Sequence, residues 1–203
     1  MSRAFEDTAL RTPEQPAALI ADPAPLGLGA FGITTLVLSL VNAQILPKAV
    51  EVGVMSLALT FGGLAQLLAG MWAFRRGNTF AATAFSAFGA FWLSFYLLVV
   101  VFIPQMKAAA PADIGNFVGW YLLAWGIFTA YMTIASLAGA RAVQAVFVLL
   151  TATFVLLAIG SFATSTGITQ IGGIVGILTA AAAIYASFAD VTNATFKRRV
   201  LPT

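Results

Sequence analysis

Within the long apolar stretches of this chain, the groups that can bind a polar substrate are uncharged hydroxyl and amide side chains. The 203 residues include no cysteine and no histidine, which removes thiolates, disulfides, iron–sulfur clusters and the usual zinc ligands. No Asp, Glu, Lys or Arg falls inside a stretch predicted to cross a membrane, which argues against side-chain proton relays, redox centres and intramembrane hydrolases. We therefore expect no enzyme, no cofactor and no metal site.

The polar candidates are distributed over the first five predicted helices. They are Thr34, Thr35, Ser56, Thr60, Gln66, Ser86, Ser94, Thr129, Thr133, Gln144 and Thr151. Two interpretations stay open: these groups line a wet path, or they bond to carbonyls of their own helix and join helices together. Gln66 is the sharpest case, because an amide facing lipid is costly and must instead face a helix or a cavity.

Bulky apolar residues at one depth on three parallel helices suggest a barrier. The triplet Ala30–Gly32 recurs as Ala87–Gly89. Phe31 lies eight residues beyond Pro23, Phe88 eight beyond Phe80, and Leu150 eight beyond Ala142, each counted from the expected cytoplasmic start of its helix. At about 1.5 Å per residue, all three lie roughly 12 Å deep. Such a ring can close a pore by excluding water. Ordinary core packing is the alternative.

Composition places these residues in a membrane protein. The chain is 61% hydrophobic and 8% charged, which excludes a soluble globular fold. Five uncharged runs are long enough to cross a bilayer: 23–47, 52–74, 77–106, 114–140 and 142–189. The last run would be about 72 Å long as one helix, so we place a polar break at 161–167 and count six helices.

The sequence thus predicts an all-α integral membrane protein, a bundle of six transmembrane helices over residues 22–193. The predicted spans are 26–45, 52–74, 80–103, 117–138, 142–161 and 168–189. Residues 1–21 are predicted to be a mobile cytosolic tail and residues 194–203 a basic cytosolic tail. Local signals place an Asp22 cap with Pro23 at the first helical position, a tight turn at 75–79, and a helix end at Pro104.

Basic residues predict the orientation. With six helices both termini share one side, which carries Arg3, Arg11, Arg75, Arg76, Arg141, Lys197, Arg198 and Arg199. The opposite side has only Lys48 and Lys107, so both termini are expected to be cytoplasmic and the protein to lie in the cytoplasmic (inner) membrane. The net charge of +3 follows from this topology, and no basic stripe suggests a nucleic-acid partner.

A run near the start of the first helix resembles a family signature. It consists of Asp22, Pro23, Ala24, Pro25, Leu26, Gly27 and Leu28, and is similar to the Asn-Pro-Ala/Gly-Pro-Leu-Gly-Leu run of the acetate uptake transporters. Further blocks match in order: 31–35, 62–66, 77–80, 91–93, 125–129, 139–141 and 156–160. The resemblance extends from Asp22 to Pro202.

This resemblance implies a ring-shaped homohexamer in which each protomer carries its own path for acetate and, less well, succinate, taken up with protons. The family's Phe, Leu and Tyr constriction falls on Phe31, Leu150 and Phe88, so one hydroxyl is missing here. Asp22 replaces the signature Asn, which puts negative charge where the helix N-terminus would attract an anion.

The resulting hypothesis divides the pathway into polar contacts and an apolar gate. Backbone N–H groups near Leu26 and Gly27 would bind the carboxylate together with Thr34, Thr35 and Gln66, and Thr129 and Thr151 complete the candidate lining. Phe31, Phe88 and Leu150 form the barrier, past which a neutral acid moves more easily than a bare carboxylate. A pore for small neutral solutes and a membrane scaffold without transport are the alternatives.

Overall fold

The computed structural model describes residues 20–203, and six of its helices are long and apolar enough to cross a membrane. They are α1 (Ala24–Asn42), α2 (Lys48–Arg75), α3 (Thr79–Ala109), α4 (Pro111–Ser136), α5 (Arg141–Phe162) and α6 (Thr166–Phe196). No strand occurs between residues 20 and 203. The predicted six-helix, all-α architecture is confirmed. The predicted N-terminal tail lies, up to residue 19, outside the described residues.

Two of the predicted chain breaks form as expected. In the turn between α2 and α3, Gly77 has a φ of +71°, and the Asn78 side chain accepts a hydrogen bond from the Ala81 N–H at 3.0 Å. In the break between α5 and α6, the Ser165 hydroxyl oxygen accepts a bond from the Ile168 N–H at 3.4 Å. Both turns therefore rely on polar side chains that cap the following helix.

The prediction that Pro104 ends the third helix is wrong. The helix continues to Ala109, because a wide π-helical turn at Leu98–Phe102 ends two residues before the proline. In this turn the Ile103 N–H donates to the Leu98 carbonyl, five residues back. The backbone hydrogen-bond pattern thus widens just before Pro104, which has no N–H to donate.

Other helix ends also differ from prediction. The fourth helix begins at Pro111 instead of 117, and the sixth runs to Phe196 instead of 189, so it crosses the predicted boundary at 193. Apolar composition locates a span but not a helix end, since backbone hydrogen bonds continue into polar sequence.

The helices form a closed ring in chain order. Helix α1 packs along α6 and also against α2, α2 packs against α3, and α4 packs against α5, which packs against α6. The α3–α4 seam is narrower and includes a 2.7 Å hydrogen bond between the hydroxyls of Ser94 and Tyr121. Helices α1, α3 and α5 run in the same direction and bring Phe31, Phe88 and Leu150 to the inside of the ring.

Gly173 permits the closest approach of α6 to the end of α1, and we expect Gly173→Ala to lower stability by about 1–3 kcal/mol. An added Cβ would overlap the Ala43 amide nitrogen and lie 2.5 Å from the Asn42 carbonyl carbon. Gly53→Ala is the matched control, because nothing lies within 4 Å of its Cβ position. Thermal unfolding in detergent measures both; equal midpoints for the two variants would refute this packing argument.

Candidate functional site

A cavity of about 140 Å³ lies inside the helix ring, and we call it the central cavity. Its wall is mostly apolar, with polar groups spaced along its length. Its lining includes Phe31, Thr35, Ser39, Asn42, Lys48, Glu51, Trp92, Leu150 and Thr153. On α1 this set follows helical spacing from Phe31 through Thr35 to Asn42, so one face of the helix lines the cavity. A small apolar cavity with a few polar groups is typical of a small-molecule site.

Two wider spaces flank this region at opposite ends of the bundle. The far vestibule, about 600 Å³, is lined by the α1–α2 connection and the ends of α4 and α5, and shares Asn42, Lys48 and Ser161 with the central cavity. The near vestibule, about 320 Å³, lies at the end that carries residue 24 and the α4–α5 turn, and its wall includes Leu28, Phe147 and Asp190. The central cavity therefore adjoins the far vestibule, and within residues 20–203 it has no lining residue in common with the near one.

Aromatic and aliphatic side chains lie between the central cavity and the near vestibule. The rings of Phe31 and Phe88 have centroids 5.7 Å apart, and Phe88 also contacts Phe147 at 6.1 Å and Phe128 at 5.5 Å. Phe31, Phe88, Phe147 and Leu150 are all at least 96% buried and belong to one apolar cluster. The structure thus brings the three predicted gate residues together. Sequence reasoning missed Phe147, which lies one turn before Leu150 on the same face of α5.

Thr35 is the predicted polar residue that the structure places in the central cavity wall. Its hydroxyl oxygen is buried and has no hydrogen-bond partner among residues 20–203. The indole nitrogen of Trp92, in the wall of the same cavity, is likewise buried and without a partner in the described part of the chain. Buried donors without partners are costly, and a bound ligand is one way to satisfy them. Trp92 was not predicted, although it lies one turn beyond Phe88.

The other predicted threonines bond to their own helices. The hydroxyl of Thr34 donates to the Ala30 carbonyl at 2.9 Å, and that of Thr129 donates to the Trp125 carbonyl at 2.7 Å. Thr151 lies 2.9 Å from the Phe147 carbonyl and joins α5 to α4 through the Thr133 hydroxyl. None of the three lines the central cavity or either vestibule. The helix-packing interpretation holds for them.

Gln66 is buried, and it also lines none of these three spaces. Its carbonyl oxygen has no hydrogen-bond partner within residues 20–203. It directly follows a π-helical turn, Thr60–Ala65, in α2. The structure therefore places Gln66 in the interior of the bundle, apart from the cavity that contains Thr35.

The start of α1 is occupied by groups of the chain itself. The Asp22 carboxylate accepts the Ala24 N–H at 2.9 Å, but the N-cap position falls on Pro23, one residue later than the predicted Asp22. The Gly27 N–H donates to the Pro23 carbonyl at 3.0 Å, and the Leu26 side chain is exposed on the outer surface. The structure does not bring Leu26 or Gly27 to the central cavity. Asp22 takes the place that an anion would occupy at this helix terminus.

The rest of the signature run serves packing. The Ser187 hydroxyl of α6 donates to the Pro25 carbonyl at 2.6 Å. A Cβ on Gly27 would lie 2.6 Å from ring carbons of Phe85, so only glycine lets α1 approach α3 here. Ala24 and Leu28 line the near vestibule. The run thus fixes α1 against its neighbours and forms part of the wall of the near vestibule.

Six apolar helices around an internal path, with cavities on both sides of a constriction, define a multi-pass integral membrane protein. Residues 7–202 match the GPR1/FUN34/yaaH family. The succinate-acetate/proton symporter SatP of Escherichia coli (strain K12) is 40% identical over 183 residues, covering 90% of this chain and 95% of SatP. The chain therefore belongs to the GPR1/FUN34/yaaH family.

Other relatives agree with this assignment. Acetate permease A of Emericella nidulans is 36% identical over 90% of this chain and 65% of its own length. A solved structure described as the bacterial acetate channel SatP superposes with a TM-score of 0.82 at 40% identity, covering 90% of this chain and 98% of that one. The six-helix fold is thus shared along nearly the whole of the solved chain, and the family is of the transporter or channel type.

Proposed function

We propose that this protein carries small monocarboxylates, chiefly acetate, across the cytoplasmic (inner) membrane together with protons, and is not an enzyme. The observation that carries the proposal is the unpartnered Thr35 hydroxyl in a small cavity that ends at the constriction of Phe31 and Leu150. A hydroxyl at this position can replace water around a carboxylate just before the narrowest point. The names of the relatives supply the substrate: SatP is described as a succinate-acetate/proton symporter, and the fungal relative as an acetate permease.

The constriction accounts for proton coupling in this proposal. Phe31, Phe88, Phe147 and Leu150 offer no polar side-chain atom to an anion. Transfer of a bare carboxylate through such a site costs far more desolvation than transfer of the neutral acid. The proton therefore crosses on the substrate, and no carboxylate relay is needed. Thr35 binds the carboxylate on the far-vestibule side, the substrate takes up a proton there and crosses the constriction as the neutral acid, and it ionises again after it reaches the near vestibule.

A second candidate is a passive channel without strict proton coupling. The solved relative is described as an acetate channel, whereas the E. coli relative is described as a symporter. Uncharged linings also suit small neutral solutes. The two mechanisms differ in whether a proton gradient can drive acetate above its equilibrium level.

Competition separates carboxylate from neutral-solute pathways. Uptake of labelled acetate into proteoliposomes is measured with excess unlabelled acetate, propionate, acetamide or urea outside. We expect acetate and propionate to block uptake, and acetamide and urea to leave it unchanged, because the amides carry no ionisable proton. Equal inhibition by acetamide would support a neutral-solute pore.

The topology and assembly belong to the same proposal. Both termini are cytoplasmic, as the distribution of basic residues indicates, and six copies form a ring. Exposed apolar side chains such as Leu68, Trp120 and Ile134 supply outer faces that lipid and neighbouring subunits cover. Native mass spectrometry in detergent gives the subunit number, and six is the expected value.

A further inference from the structure

An ion pair lies where the central cavity meets the far vestibule. The Lys48 ammonium pairs with the Glu51 carboxylate at 2.5 Å, and both residues line the central cavity. The Lys48 side chain is 71% exposed, whereas that of Glu51 is only 18% exposed. Lys48 also lines the far vestibule, and Glu51 does not. Solvent therefore screens the positive partner more than the negative one, so the Glu51 carboxylate is the less screened charge of the pair.

The other residues that line the central cavity are uncharged. Thr35 and Asn42 lie on the same face of α1, seven residues or about 10 Å apart along the helix axis. Asn42 and Glu51 belong to the same end of the cavity, beside Lys48. A carboxylate held at Thr35 thus has only one acidic neighbour in the cavity wall, on the side of the far vestibule.

We propose that Glu51 is a specificity-determining residue that selects monocarboxylates over dicarboxylates. When a monocarboxylate binds at Thr35, only its methyl or methylene groups extend away from the hydrogen-bonded carboxylate. A four-carbon dicarboxylate bound in the same way directs its second charge toward the cavity mouth, where the Glu51 carboxylate repels it. This inference rests on the proposed function and adds the substrate class that the cavity disfavours.

The test compares labelled acetate and succinate uptake by Glu51→Gln and wild-type protein in proteoliposomes at neutral pH. Glutamine keeps the size of the side chain and can still accept the Lys48 hydrogen bond. We expect the succinate-to-acetate rate ratio to rise about tenfold, because one close like-charge repulsion is removed and Lys48 is left uncompensated. Lys48→Gln is expected to lower the same ratio.

Asp113→Asn is the matched control. Asp113 is an exposed carboxylate in the first turn of α4, at the same end of the bundle, and lines neither the central cavity nor the far vestibule. Asp113→Asn removes one negative charge, as Glu51→Gln does. A succinate-to-acetate rate ratio that rises equally in both variants overturns the inference. An unchanged ratio in Glu51→Gln, with normal acetate uptake, overturns this inference alone. Absence of acetate uptake by wild-type protein overturns the proposed function and this inference together.

Discussion

Replacing Thr35 by valine is expected to raise the half-saturation concentration for acetate by about tenfold or more, without loss of stability. Valine has nearly the same shape as threonine and replaces only the hydroxyl with a methyl group. A hydrogen bond to a charged group contributes about 1.5–3 kcal/mol, which is at least a tenfold change in affinity. The Thr35 hydroxyl has no partner within residues 20–203, so its removal breaks no hydrogen bond of the described fold.

The neighbouring residue provides the control for this experiment. Thr34 is equally buried, but its hydroxyl donates to the Ala30 carbonyl, and its side chain packs toward Gly62 of α2. Thr34→Val is therefore expected to leave acetate affinity unchanged. Initial uptake rates over a range of acetate concentrations and thermal unfolding in detergent measure both properties. Equal affinities for Thr35→Val and wild-type protein would remove Thr35 from the binding site.

Truncation of Leu150 to alanine is expected to open the constriction to longer acids. Leu150 lies between the central cavity and Phe147, so three carbon atoms are lost at the narrowest part of the path. A hydrophobic site discriminates about 10- to 200-fold per methylene group. We therefore expect the rate of butyrate uptake relative to acetate to rise about tenfold in Leu150→Ala.

The stability cost of this variant requires its own controls. Loss of a buried leucine side chain costs about 2–5 kcal/mol, so Leu150→Val serves as a milder variant with a smaller shift in the same direction. Val148→Ala truncates a side chain on the same helix that is 51% exposed, and should not change the ratio. Both are measured beside Leu150→Ala by size-exclusion chromatography and uptake. A butyrate-to-acetate ratio that stays constant in both Leu150 variants would contradict the gate assignment.

The number of helices and the clustering of Phe31, Phe88 and Leu150 could be predicted because both depend on spacing along the chain. Apolar run length fixes the number of spans, and equal depth on parallel helices placed Phe31, Phe88 and Leu150 at one level. Phe147 and Trp92 follow the same logic, since each lies one turn from a predicted gate residue. A search along each helix face at spacings of three and four would have found them.

The role of each threonine could not be predicted. Thr34 and Thr35 are adjacent and chemically identical, yet one bonds to its helix and the other lies unpaired in the cavity wall. The difference comes from which face of α1 turns toward α2, and this depends on tertiary packing around Gly62. Lys48 and Glu51 were missed for another reason. Charges were sought only inside the predicted spans, whereas these two residues lie just before the predicted span 52–74.

Uptake of labelled acetate by purified protein in proteoliposomes tests the central proposal most directly. An inward proton gradient is imposed, the membrane potential is clamped at zero, and protein-free vesicles give the passive leak. The proposed mechanism predicts protein-dependent accumulation of acetate above its external concentration, which excess unlabelled acetate blocks. Protein-dependent equilibration without accumulation would contradict proton coupling and favour the channel. No flux above leak in folded protein would contradict acetate transport itself.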